Sequence, residues 1–144
     1  MTKQGDAGVG YKKLKIYQLA HDLGLRIHRM TLDLPKFEMF EEGSQIRRSS
    51  KSVSSNVIEG YSLRKYKAEY IHYLFRAYAS SMETVEHLEY LHETNSMKDA
   101  NLFNSLMSSY SELNSMLYRF IEAVDREHNP DILYERDGYQ QSDV

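Results

Sequence analysis

The chain has 144 residues, 18 Lys and Arg against 21 Asp and Glu, and no cysteine or tryptophan. That length suits one domain able to bury its own core, and the lack of cysteine excludes disulfides, thiolate metal sites and a cysteine nucleophile. Apolar runs are only a few residues long, which excludes a membrane span or signal-peptide core and leads us to expect a soluble cytoplasmic protein.

Residues 1–13 carry three glycines and no periodicity, and read as a flexible leader. The helical domain is expected over 14–126. A first helix starts near Leu14: Ile16, Ala20, Leu23, Ile27, Met30 and Leu34 step by four and three onto one seam, and Pro35 forbids continuation. After a connector with two aromatics, Ser44 to Gly60 (SQIRRSSKSVSSNVIEG) reads as a central, tightly packed helix. Ile46, Ser49, Ser50, Val53, Val57 and Gly60 share its buried face, and Arg48, Lys51, Ser52, Ser55 and Glu59 the opposite one. Its many serines disfavour an isolated helix, so neighbours must hold it. Gly60 suits a left-handed helix end.

A third helix is expected from about Lys67 to Glu93, with Ile71, Leu74, Tyr78, Ser81, Val85 and Leu88 as its seam and Asn95-Ser96 as its break. Ser96 and Asp99 have capping-box spacing before a fourth helix. That helix shows two apolar seams: Leu102, Leu106, Leu113, Met116 and Phe120, and beside them Phe103, Met107, Tyr110, Leu117, Ile121 and Val124. One faces the bundle. The other, with Tyr110, Leu117 and Ile121, is expected to meet another subunit. Residues 127–144 read as an acidic, mobile tail. Four amphipathic helices with short connections predict an all-α, antiparallel up-down four-helix bundle in a homo-oligomer.

Chemistry is sparse. Glu69 and His72, and Glu89 and His92, repeat the Glu-x-x-His spacing of di-iron bundles, but both lie on one helix about 30 Å apart, so no metal or other cofactor is expected. No Gly-x-Ser-x-Gly elbow or phosphate loop is present, and the protein is expected not to be an enzyme. Charge is unevenly placed: residues 44–78 carry seven basic and two acidic side chains, and 125–144 two and six. Arg47, Arg48 and Lys51, then Arg64, Lys65 and Lys67, interleave with Tyr61, Tyr66 and Tyr70 in a pattern suited to phosphate pairing and base stacking on RNA. The two groups need not converge, since Arg47 and Arg64 are about 25 Å apart along a helix. Arg47 and Arg48 have an alternative use, pairing with Glu of the third helix or of a neighbouring subunit. Asn56 reads as a hydrogen-bonded orienter of the loop beside Gly60.

Gln45-Ile46-Arg47-Arg48-Ser49, Ser52-Val53 and Ser55-Asn56-Val57-Ile58-Glu59-Gly60 resemble the signature of the four helix bundle proteins related to the 23S rRNA intervening-sequence proteins. The likeness runs from about Leu14 to Val124. It implies a left-handed bundle in a ring-like homopentamer, with Gln45, Arg47, Arg48, Ser52, Asn56, Glu59 and Gly60 as motif positions without catalytic role. For function it implies association with RNA or the ribosome. The alternative is a protein-interaction scaffold, since the accessory variability proteins of diversity-generating retroelements, which bind a reverse transcriptase, resemble this bundle too.

Overall fold

The computed structural model describes residues 10–128. Four α-helices account for most of them: α1 Lys15–Thr31, α2 Glu42–Ser62, α3 Lys67–Glu93 and α4 Ala100–Glu127. Short 3-10 turns at Gly10–Lys13 and Lys36–Phe40 precede α1 and α2, and no strand occurs among the described residues. Each helix packs on its neighbour in sequence, most extensively α2 on α3, and α1 also meets α4. One apolar core results, shared by all four.

The 3.6-residue rhythm explains the inward faces. On α1, Ile16, Ala20, Leu23, Ile27 and Met30 are buried as the seam requires. The helix ends at Thr31, four residues before Pro35, and Leu34 packs only partly on the core. On α2, Ile46, Ser49, Ser50, Val53, Val57 and Gly60 are all buried. Serines are tolerated there because each hydroxyl is used. Ser49 Oγ lies 2.8 Å from Thr84 Oγ1 and Ser52 Oγ 2.9 Å from Ser80 Oγ, which stitches α2 to α3 through polar pairs inside a tight interface.

Several local expectations need correction. Residues 10–13 are placed rather than loose: Leu14 N–H donates to Tyr11 O, Gln18 donates to Lys12 O, and Tyr11 stands edge-on to Tyr17 at 4.9 Å. The rest of the expected leader, residues 1–9, and the tail from residue 129 onward lie outside the described residues. Gly60 does not end α2; the helix runs two residues further, and Gly60 matters for proximity, since a Cβ there would sit 3.2 Å from Tyr73 Cβ. A left-handed residue instead follows the end of α3, at Asn95 with φ 67°. Asp99 alone caps α4, accepting from Leu102 N–H at 3.0 Å, while Ser96 donates elsewhere, to Glu38 Oε2 at 2.6 Å.

Glu38 is the unexpected buried charge. Only 3% exposed, its carboxylate also accepts from Glu42 N–H at 3.0 Å, so it satisfies a first-turn donor of α2 from outside the helix and ties α2 to the α3–α4 connection. Close by, His87 of α3 places Nδ1 2.7 Å from Glu42 Oε1 and Nε2 3.4 Å from Glu83 Oε2. The start of α2 is held by side chains from two other segments.

Tyr110, Leu117 and Ile121 lie inside the single chain, at 1%, 0% and 4% exposure. They are core residues, and the expectation that they meet another subunit is corrected. The reason is the width of the buried arc. Packed between α1 and α3, α4 buries Leu106, Leu113 and Phe120 from one seam and Tyr110, Leu117, Ile121 and Val124 from the other.

Candidate nucleic-acid interface

The basic residues of α2 and of the turn that follows stay apart, because α2 runs unbroken through both Arg47 and Ser62. At 1.5 Å per residue the two groups lie about 25 Å apart along it. At the first, Arg47 is half-buried and donates through Nη2 to Met39 O at 2.9 Å, so it fastens the 3-10 turn that leads into α2. It pairs with a backbone carbonyl, where the expected alternative was a glutamate of α3 or of a neighbouring subunit. Arg48 and Gln45 are exposed. Lys51, also exposed, lines a shallow groove of about 400 Å³ with His21, Gly24, Leu25, His28 and Ser54.

The second group is better organised. Four residues, 63–66, join α2 to α3, and Leu63, Arg64 and Tyr66 N–H groups bond back along the turn, which fixes its path. Arg64 is half-buried, with its guanidinium carbon 4.0 Å from the Tyr61 ring centre and Nη1 donating to Tyr61 O at 3.0 Å. This clamp holds the guanidinium in one orientation. Lys65 is exposed, its Nζ 6.0 Å from the Tyr66 ring, and Tyr66 itself is 58% exposed. Lys67 opens α3 and pairs with Asp125 at the end of α4, 3.3 Å away; both groups are well exposed and the pair contributes at most about 1 kcal/mol. The last described residue, His128, donates through Nε2 to Arg64 O at 2.9 Å.

The surface continues along α3, beyond the positions expected from the sequence. Tyr73 and Arg76 lie further along α3, with Arg76 exposed and its guanidinium 6.0 Å from the Tyr73 ring. Tyr66, Tyr73 and Arg76 are spaced by seven and three, a helical face that the sequence spacing alone could have shown. Residues 63–76 carry Arg64, Lys65, Lys67 and Arg76 against the single acid Glu69.

The remaining motif positions are structural. Asn56 donates through Nδ2 to Ser52 O and Ser52 Oγ, both at 2.9 Å, so it orients Ser52 toward Ser80 within the α2–α3 contact and does not reach the loop beside Gly60. Ser52, placed on the outer face by its spacing, is drawn into that contact. Glu59 is exposed. Among the Glu-x-x-His pairs, His92 stacks on Phe103 at 4.1 Å and its Nδ1 lies 3.1 Å from Met97 O. No group of three or more His, Cys, Asp or Glu among the described residues is placed to hold a metal ion. No described helix is long and apolar enough to cross a membrane.

Fold and surface define a class first: an all-α protein of four helices around one core, with an ordered basic turn flanked by tyrosines. The chain belongs to the family of 23S rRNA-intervening sequence proteins, whose model matches residues 12–119. The same fold occurs in the crystal structure of a protein of unknown function from the S23 ribosomal protein family of Bacteroides thetaiotaomicron VPI-5482. The two share 24% identity at a TM-score of 0.65, over 74% of this chain and 95% of that one. No curated protein matches this chain.

Proposed function

We propose that this protein is a non-enzymatic RNA-binding bundle of the cytoplasm that grips single-stranded or looped RNA, free or within a ribonucleoprotein such as the ribosome, through the turn after α2. The observation that carries this reading is the turn fixed by the Arg64 clamp on Tyr61, which presents exposed Lys65 and Tyr66 and is continued along α3 by Tyr73 and exposed Arg76. The exposed Lys65 and Arg76 cations can pair with phosphate, and an exposed tyrosine ring offers a face to an unpaired base. Arg48 and Lys51 would add a second, weaker contact further along α2; Arg47 is occupied.

The bundle is antiparallel in this reading, as connections of four and six residues between successive long helices favour, and it assembles as a ring-like homo-oligomer, a pentamer by family resemblance. Subunit contact falls on the outer α3–α4 groove. Tyr78, Met82, Val85, Met107 and Tyr118 line this space of about 560 Å³, and Met82 and Tyr118 are roughly half exposed.

A second reading, a scaffold for a protein partner such as a reverse transcriptase, draws on the apolar cluster before α2, where Leu32, Phe37, Met39 and Phe40 are 67%, 63%, 52% and 84% exposed. Binding of a labelled oligouridylate to the wild type and to a Lys65→Ala, Tyr66→Ala, Arg76→Ala variant separates the two. RNA binding predicts a loss of about tenfold or more in the variant, at unchanged helicity and oligomeric size. Absence of binding by the wild type would favour the scaffold.

A further inference from the structure

We infer that the acidic C-terminal segment, residues 131–144, docks on the basic turn that joins α2 to α3 and competes there with RNA phosphates. The inference rests on reading that turn as the phosphate-binding surface and adds its regulation. Three observations meet at one place. The end of α4 is fastened to the turn, with His128 donating to Arg64 O at 2.9 Å and Asp125 pairing with Lys67 at 3.3 Å. A carboxylate from α4 therefore already takes the cation next to the turn. The sequence that follows His128 carries Asp131, Glu135, Asp137 and Asp143 against Arg136 alone. Its charge is opposite to that of Arg64, Lys65 and Lys67.

Reach and concentration favour the contact. Asp131 stands three residues beyond His128, so its carboxylate can lie within about 10 Å of the point where the chain leaves the turn, and Glu135 and Asp137 within about 30 Å. A tether this short holds the carboxylates near the cations at an effective concentration on the order of millimolar. RNA must displace them, whereas a weak intruder, with fewer phosphates to offer, is turned away. The effect is electrostatic and therefore fades with salt.

The test uses the full chain with Asp131→Asn, Glu135→Gln, Asp137→Asn and Asp143→Asn together, which keeps length and removes the charge. Affinity for labelled oligouridylate is measured at low and moderate salt, and the amide resonances of Lys65 and Tyr66 are compared between wild type and variant without RNA. We expect about three- to tenfold tighter binding by the variant at low salt, a gap that narrows as salt rises, and displaced Lys65 and Tyr66 resonances. Equal affinities with unchanged resonances overturn tail docking and leave RNA binding intact. Displaced resonances with no RNA binding by either protein support the docking and overturn the function on which its role depends. Tighter binding with unchanged resonances also overturns it, because the tail would then act only through the general field of the molecule or the turn would be covered by something else.

Discussion

At Tyr110 the chain encloses a phenol in the core at 1% exposure, and its hydroxyl finds no hydrogen-bond partner among the described residues. Burial pushes its ionisation far above the ordinary tyrosine value near 10, against the opposing pull of the Arg26 guanidinium. The unfolded chain releases this proton above about pH 10 while the folded chain retains it, so the contribution is complete below that pH and is lost as pH rises beyond it. Tyr110→Phe removes an unpaired hydroxyl without removing the ring. We expect it to leave stability at neutral pH unchanged or raised by up to about 1 kcal/mol, and to soften the alkaline fall. Denaturant titrations at neutral pH and above pH 10 check this, and a loss of more than about 2 kcal/mol at neutral pH would mean that the hydroxyl is bonded. None of this was readable from the sequence, where Tyr110 stood on a seam assigned to another subunit. Spacing shows that a residue is on an apolar stripe. It does not show which neighbour covers it.

At the scale of elements, α2 was the most legible part of the fold and also the source of its instructive errors. The buried face from Ile46 to Gly60 follows from the 3.6-residue period alone, because helix geometry leaves no other place for those side chains. What spacing could not supply were contacts set by crossing helices. Ser52 leaves its nominal outer face to meet Ser80, Arg47 turns back to Met39, and Gly60 serves close approach to Tyr73 where a helix end was expected. Glycine substitutions separate these roles. At Gly43, a Cβ would fall 2.4 Å from the Glu38 carbonyl oxygen, a backbone atom that cannot move without dislodging the carboxylate that serves α2. At Gly24 the nearest atom would be 3.7 Å away, ordinary contact. Gly43→Ala is expected to cost about 2 kcal/mol or more, and Gly24→Ala to raise stability by about 0.5–1 kcal/mol through helix propensity. Thermal melts of the two variants check both; a neutral Gly43→Ala would show that the Glu38 turn yields freely.

For the whole molecule, the polarity of charge visible in the sequence survives folding but is redistributed. The seven basic residues of 44–78 do not form one patch: Arg47 is consumed in the fold, Arg48 and Lys51 remain on the outside of α2, and Arg64, Lys65, Lys67 and Arg76 gather around the turn and the first turns of α3. The number of cations was legible early, their grouping only once the length of α2 was known. The outer groove between α3 and α4 was likewise hidden, since Met82 and Tyr118 belong to neither of the seams that the periodicity singled out on their helices.

The salt dependence of oligouridylate binding by the wild-type protein separates phosphate contacts from an apolar interface. If the turn holds three to four phosphates, log K should fall linearly with log salt at a slope of about −2 to −3, at a constant oligomeric size. A slope near zero, or no binding at low salt, would contradict the RNA-binding account and leave the exposed apolar cluster at Phe37 and Phe40 as the feature to explain.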